Sequence, residues 1–137
     1  MKAYTIDQLE IGQTASFAKT VTEADVCLFA GITGDINPLH LNQEYAKNTI
    51  FKDRVAHGML TAGMISAVLG VQLPGPGTIY SGQTLKFLAP VYIGDTITAT
   101  VEVKEIVQEK GRVIMITTCT NQKGKTVVEG EATLALR

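Results

Sequence analysis

The heptapeptide Gly34-Asp35-Ile36-Asn37-Pro38-Leu39-His40 places a carboxylate and an imidazole five residues apart. The chain has only two histidines, so His40 is a scarce group. An aspartate and a histidine that face one substrate can divide proton acceptance and donation between them near neutral pH. The spacing therefore predicts general acid–base chemistry, provided that the backbone brings the two side chains together.

The backbone between these residues decides whether they can meet. On a continuous helix, five residues are about 500° of rotation, so Asp35 and His40 would point well over 100° apart. Pro38 argues against that helix, because its ring removes an N–H and pushes Asn37 towards extended geometry. The Asn37-Pro38 dipeptide instead predicts a turn, which can bring both side chains to one spot.

Composition narrows the class of protein. The chain has 137 residues, of which 45% are hydrophobic and 18% charged, so we expect one compact domain over residues 1–137. A formal net charge of -1 without a Lys/Arg run argues against a nucleic acid partner. Cys27 and Cys119 belong to no CxxC pair or ligand cluster, so we expect no metal site and two free thiols in a reducing cytoplasm. Acids near the N-terminus argue against an export signal.

Two helices frame the heptapeptide. Thr22 is placed to cap a helix that begins with acids at Glu23 and Asp25 and ends near 31–34. A second, short helix is expected from about Asn42 to Asn48.

The apolar run from Gly58 to Leu73 predicts a long core helix. It is too short for the about 20 residues of a bilayer span, and its lack of charge predicts burial on all sides. We expect no membrane partner.

The C-terminal half changes to a period of two. Thr96 to Lys104 alternates apolar and polar residues, and Arg112 to Thr120 and Thr126 to Leu136 follow as further strands. Short glycine-containing turns at 109–111 and 122–124 predict an antiparallel meander. The expected fold is α+β, with the sheet curled around the apolar helix. Such a small sheet leaves an edge uncovered, which favours pairing with a second copy.

Three motifs resemble a known family. The stretch 33–40, with Ala46 six residues beyond the histidine, is similar to the signature of the MaoC-like (R)-specific enoyl-CoA hydratases. The resemblance continues through Val55-Ala56-His57-Gly58-Met59 and through the stretch 87–95, and it covers nearly the whole chain. It implies a hot-dog fold, a homodimer, and reversible hydration of trans-2-enoyl-CoA to (R)-3-hydroxyacyl-CoA without a cofactor other than the coenzyme A of the substrate.

The chemistry of that reaction assigns roles to residues. Hydration of a conjugated thioester removes a proton from the water that attacks C3, delivers a proton to C2, and stabilises negative charge on the thioester oxygen. Asp35 and His40 supply the proton-transferring pair, with no assignment of base and acid between them. The first amides of a helix can hold the oxyanion, and the resemblance assigns that role to the N–H of Gly58.

Several residues admit two interpretations. Asp35 alone would be an ordinary turn residue, Asn37 either orients the site or only shapes the turn, and His57 is expected to pack or cap at the helix entry. Ser66 is expected to bond to its own backbone, or to line the acyl path with Met59, Ala62 and Gly63. The cations Lys52, Arg54 and Lys86 are candidates for the coenzyme A phosphates, or are ordinary surface charges.

Three other functions compete with hydration. A hot-dog thioesterase would direct water at the carbonyl carbon, but the apolar helix has no acid and only Gln72 as an amide. A dehydratase acting on carrier-protein-linked 3-hydroxyacyl chains would run the same chemistry in reverse. A non-catalytic acyl-CoA-binding module would not need the acid–imidazole pair.

Overall fold

The computed structural model describes residues 1–136. It contains six strands and four helices, together with short 3-10 turns at Ile6–Gln8 and Gln108–Lys110. The helices are α1 (Glu23–Thr33), α2 (Pro38–Leu41), α3 (Gln43–Ala46) and α4 (Gly58–Val71). The strands are β1 (Thr14–Thr20), β2 (Ile79–Gln83), β3 (Lys86–Phe87), β4 (Thr96–Val107), β5 (Arg112–Thr120) and β6 (Thr126–Ala135).

All six strands form one antiparallel sheet. The order is β1-β4-β5-β6-β2, and β3 also pairs with β6. The consecutive pairing of β4, β5 and β6 confirms the predicted meander. One face of β4 is buried in the part of the strand whose alternation predicts it, through Ile97, Ala99, Val101 and Val103. That face packs against α4, so the curved sheet wraps around the helix in the expected α+β arrangement.

Helix α4 differs from its prediction in two respects. It has 14 residues and ends at Val71 rather than Leu73, because Leu73 precedes Pro74 and such a residue disfavours helical geometry. The prediction of burial on all sides is wrong: the sheet covers one side, and the other side is exposed along Met59, Gly63, Ser66 and Gly70. These four follow the i, i+4, i+7, i+11 spacing of a single helix stripe.

The N-terminal helix follows its sequence signals closely. The Thr22 hydroxyl accepts a hydrogen bond from the Asp25 N–H at 3.2 Å, and the Asp25 carboxylate accepts one from the Thr22 N–H at 2.9 Å. This reciprocal pair satisfies two amides of the first turn. At the other end, Gly34 has a φ of 82°, which suits glycine and ends α1 directly before Asp35.

The described residues 1–136 include no helix that is both long and apolar enough to cross a bilayer.

Candidate active site

The loop between α1 and α2 carries Asp35. Its Oδ1 accepts a hydrogen bond from the Asn37 N–H at 3.3 Å, so the side chain does shape a turn. Asp35 is exposed, and one carboxylate oxygen in such a turn leaves the other for a second partner. The two interpretations of Asp35 are therefore compatible.

Helix α2 carries His40. It begins with Pro38, where a missing N–H costs nothing, and Asn37 caps it by accepting the Leu39 N–H at 3.0 Å. The turn predicted at Asn37-Pro38 is thus the start of a short helix, α2, that sequence reasoning missed. As expected, no continuous helix joins Asp35 to His40, because α1 ends at Thr33. The Asn37 amide oxygen is used in this cap.

The tautomer of His40 follows from the one hydrogen bond that its ring makes. Nδ1 lies 2.7 Å from the backbone oxygen of Val55. A carbonyl oxygen only accepts, so Nδ1 carries the hydrogen and Nε2 has a free lone pair in the neutral ring. His40 is 9% exposed, and this bond holds its ring in one orientation.

The segment 54–57, which we call the strap, leads into α4. It hydrogen-bonds to the backbone of both candidate catalytic residues, Asp35 and His40. Arg54 Nε donates to the His40 carbonyl at 2.7 Å, and the Val55 N–H donates to the Leu39 carbonyl at 3.4 Å. His57 Nε2 lies 2.9 Å from the Asp35 carbonyl. The strap therefore contacts the chain on both sides of the Asn37-Pro38 start of α2.

Arg54 has a second anchor. Its guanidinium pairs in bidentate fashion with Glu23 of α1, at 2.8 and 2.9 Å. This hydrogen-bonded ion pair lowers the pKa of the Glu23 carboxyl below its ordinary value. Arg54 is thus committed to protein partners rather than standing free for a phosphate.

His57 is the N-cap residue of α4, but its side chain makes no capping bond. It is 2% exposed, and its ring stacks on that of His40 with 3.9 Å between ring centroids and 29° between planes. Its Nδ1 is buried without a hydrogen-bond partner.

Three potential ligand atoms converge here. One carboxylate oxygen of Asp35, one ring nitrogen of His40 and one of His57 lie within 4.8 Å of one another. An imidazole binds a metal in its ring plane at about 2.0–2.1 Å, and the lone pairs of two stacked rings run side by side rather than meeting. A distance of at most 4.8 Å between the Asp35 oxygen and the His40 nitrogen allows one water molecule to hydrogen-bond to both at about 2.8 Å each.

Helix α4 begins at Gly58 beside this cluster. The N–H of its first residue has no acceptor within the helix and lies at the positive end of the helix dipole. A Cβ on Gly58 would lie 2.7 Å from two ring carbons of Phe87. Glycine is therefore required for the close approach of Phe87, and that packing gives Gly58 a structural role besides the predicted one.

These groups border a cavity of about 470 Å³. Polar groups are few and come from Asp35, His40, His57 and Thr61, whereas the rest of the lining is mostly apolar. The apolar part comprises Phe51, Val55, Ala56, Met59, Phe87, Leu88, Ala89, Pro90, Val91 and Val128. Such a cavity suits an apolar chain with a reactive polar end.

A family model for the MaoC-like domain matches residues 7–134. The chain belongs to the MaoC-like family. An (R)-specific enoyl-CoA hydratase of Rhodospirillum rubrum is 59% identical to it over 93% of this chain and 88% of that protein. The solved structure of unliganded R-hydratase PhaJ1 from Pseudomonas aeruginosa has a TM-score of 0.93 at 48% identity, covering 98% of this chain and 86% of that one. The family and hot-dog fold predicted from the sequence are confirmed.

A third relative is named for a different substrate. The mitochondrial 3-hydroxyacyl-(acyl-carrier-protein) dehydratase FERN of Solanum lycopersicum is 41% identical over 93% of this chain and 78% of that protein.

The remaining predicted site residues of this MaoC-like chain divide into two groups. Met59 lines the cavity together with Asp35, His40 and Gly58. The residues Asn37, Lys52, Arg54, Ala62, Ser66 and Lys86 lie outside its lining. Ala62 is buried and Ser66 is exposed. Lys52 and Lys86 are exposed, and in the sequence they are the immediate neighbours of the lining residues Phe51 and Phe87.

Sequence reasoning assigned no role to Thr61 and Phe87, which are among the residues that line the cavity. Thr61 is fully buried, and its hydroxyl lacks a hydrogen-bond partner. It lies four residues after His57, and this spacing on the predicted helix could have placed it on the same face. Phe87 lies in the two-residue strand β3, where no periodicity could reveal which way its ring faces.

Proposed function

We propose that this protein catalyses the (R)-specific, reversible hydration of trans-2-enoyl-CoA to (R)-3-hydroxyacyl-CoA. The observation that carries the proposal is the meeting of the Asp35 carboxylate and the His40 ring within 4.8 Å at an apolar cavity. The start of α4 at Gly58, on the same cavity, adds an amide for a developing negative charge. The names of the Rhodospirillum and Pseudomonas relatives support the same reaction.

In the proposed mechanism, one water molecule lies between Asp35 and His40. As the water oxygen bonds to C3, the C2=C3 electron pair moves towards the thioester and the Gly58 N–H stabilises the resulting enolate oxygen. The pair takes one proton from the water and delivers one to C2 from the same face. The catalyst is thereby restored, and the reaction consumes only water and the enoyl thioester, with no metal or separate cofactor.

The apolar lining is proposed to hold the acyl chain. Met59, Leu88, Val91 and Val128 offer aliphatic contact beside the polar cluster, and burial of each methylene of the substrate contributes about 0.8 kcal/mol. Ala62 and Ser66 remain predicted acyl-path residues. Ser66 would meet substrate only if a second copy covers the exposed side of α4.

We further propose that Lys52 and Lys86 bind the coenzyme A phosphates, because both are exposed cations next in sequence to phenylalanines that line the cavity. Reversing either charge to Glu should raise KM for crotonyl-CoA several-fold and leave kcat unchanged. The same reversal at Lys123, in the turn between β5 and β6, is the control. An unchanged KM in both cavity-side variants would remove this role.

A homodimer is proposed on the basis of the exposed sheet edge. Strand β2 pairs with β6 on one side only. Large apolar side chains are exposed along β2 and the adjoining β3 segment, at Ile79, Tyr80, Phe87 and Leu88. A second copy would cover these residues.

The cytoplasm is the proposed location, because Cys27 and Cys119 are both free thiols. Cell fractionation with antibody detection tests this, and recovery in an oxidising compartment would contradict it.

A carrier-protein substrate is the second candidate, favoured by the name of the tomato relative. A thioesterase is disfavoured by α4 itself: it contains no acid or amide, and the Gln72 amide beyond its end donates to the Ser16 carbonyl at 3.0 Å.

One assay separates these functions. Crotonyl-CoA should lose the ultraviolet absorbance of its conjugated double bond without release of a free thiol. Crotonyl-carrier protein, assayed in parallel, should turn over with a lower kcat/KM. A higher kcat/KM for the carrier-linked substrate would transfer the assignment to the dehydratase. Free coenzyme A would instead identify a thioesterase, and a double bond that persists in both substrates would refute the proposal.

A further inference from the structure

His57 touches both members of the candidate catalytic pair, although the sequence predicts only local packing or capping for it and the proposed mechanism does not use it. Its Nε2 lies 2.9 Å from the Asp35 carbonyl oxygen, and its ring stacks on His40. Because a carbonyl oxygen only accepts hydrogen bonds, Nε2 carries the hydrogen. His57 therefore donates to the backbone of one residue and packs against the ring of the other.

We propose that His57 is a positioning residue that fixes Asp35 relative to His40. This inference rests on the proposed hydration, since its effect is measured on that reaction. The Nε2–H bond holds the backbone of Asp35, and the ring provides the surface against which the His40 imidazole lies. His57 also directly precedes Gly58, so the same residue joins the pair to the proposed oxyanion amide.

The burial of His57 gives this arrangement its rigidity. The ring is 2% exposed and also contacts the ring of Phe29, with 4.7 Å between ring centroids and 52° between the planes. By contrast, Asp35 lies in an exposed loop, between the end of α1 at Gly34 and the cap of α2 at Asn37. The His57 bond links that loop to a buried group.

A purely structural role would make different demands on the side chain. If His57 only filled space, Phe would be its best replacement, because Phe keeps a ring beside His40 and loses only the donor. If His57 positions Asp35, the donor at the Nε2 position matters more. Gln places its amide nitrogen near the Nε2 position, whereas Asn places it near Nδ1 and cannot reach the Asp35 carbonyl.

Three variants of the full chain test this: His57→Gln, His57→Asn and His57→Phe, assayed with crotonyl-CoA. His57→Gln should keep kcat within about threefold of the unmodified protein. His57→Asn and His57→Phe should lose kcat by about 10²-fold, the scale expected when a reacting group moves by about 1 Å. KM should change by less than about threefold in all three. The control Val26→Ala, a core truncation in α1, should lower Tm without lowering kcat.

Equal losses in the Gln and Asn variants, or full activity in the Phe variant, would overturn the proposal. A loss of kcat that is proportional to the loss of Tm, and that Val26→Ala shows to the same degree, would do the same. Binding of butyryl-CoA, which lacks the reacting double bond, shows whether each variant keeps a folded site.

Nitrogen-15 NMR of the unmodified protein needs no variant. We expect a hydrogen on His57 Nε2 that is protected from exchange, and an Nε2 without a hydrogen would contradict the assignment. Failure of the unmodified protein to hydrate crotonyl-CoA would refute the proposed function, while the NMR result would still decide the His57 contact.

Discussion

Asp35 and His40 each combine a structural contact with a free polar atom, so substitutions can be chosen to remove one and keep the other. Asn at position 35 retains an oxygen that can accept from the Asn37 N–H, now at 3.3 Å from Oδ1. Asn at position 40 places an amide nitrogen near Nδ1, which bonds to the Val55 oxygen at 2.7 Å. Both replacements preserve the local fold while removing the group assigned to proton transfer.

Asp35→Asn and His40→Asn should each lower kcat for crotonyl-CoA hydration by at least about 10²-fold, as expected for loss of a general acid or base. Butyryl-CoA should bind to both variants as it does to the unmodified protein. Retained turnover in the double variant would show that the pair is not the catalytic group.

Gly58 has a second constraint, independent of its amide. Gly58→Ala keeps the N–H but places a Cβ 2.7 Å from the Phe87 ring, which must move. We expect at least a tenfold loss of kcat/KM, because the displaced ring enters or reshapes the cavity. In a Phe87→Ala background, where the clash is absent, Gly58→Ala should lower kcat/KM much less than it does in the unmodified protein. If the double variant is no better than Gly58→Ala, the clash with Phe87 is not the cause.

At the scale of elements, the strap is connected to α1 through Arg54 and Glu23. The hydrogen bond from Arg54 lowers the pKa of Glu23, so the charged carboxylate is favoured in the folded chain. Because the pKa of Glu23 is lowered on folding, the charged carboxylate stabilises the fold at pH values above its ordinary pKa of 4.5. This stabilisation is lost as the pH falls through the lower pKa of the folded chain.

Glu23→Gln should therefore lower Tm at pH 7, and the difference from the unmodified protein should shrink as the pH falls below about 4.5. The effect is small because Glu23 is 58% exposed in its side chain. Glu44→Gln, which removes an i,i+3 pair with Lys47 on the surface, is the control and should change Tm less. A Tm difference for Glu23→Gln that is constant with pH would contradict the ion pair.

The elements also show where sequence reasoning succeeds and where it stops. Thr22 with Asp25 marks the start of α1, and the alternation of β4 marks its buried face, because both signals are local. Strand β1 was missed since its residues Thr14–Thr20 are mostly exposed and lack a clear alternation. Strand β2 was missed because a register shift between Tyr80 and Gly82 interrupts it.

The site follows the same division. The motifs predict Asp35, His40 and Gly58 as site residues, but the stacking of His57 on His40 joins positions 17 residues apart and depends on how the strap folds back. The sequence leaves Arg54 open as a phosphate ligand or an ordinary surface charge, and it does not predict the pairing with Glu23, 31 residues away. Such pairings are set by tertiary packing, which no local pattern encodes.

At the scale of the whole molecule, the exposed edge and the exposed side of α4 support a dimer. Ile79 is 50% exposed on β2, so a lysine there would place a charge within the proposed interface. Analytical ultracentrifugation should give twice the chain mass for the unmodified protein and a shift towards the single-chain mass for Ile79→Lys. Ile11→Lys, at an exposed residue preceding β1, should remain dimeric. A monomeric unmodified protein at micromolar concentration would refute the dimer.

The proposed reaction requires Asp35 and His40 to act on one face of the substrate. Crotonyl-CoA hydrated in D₂O therefore tests the central claim most directly, by NMR of the isolated 3-hydroxybutyryl-CoA. We expect the R configuration at C3 and a single deuterium at C2, added to the same face as the new hydroxyl. A product with the S configuration, or with deuterium on the opposite face, would contradict the account.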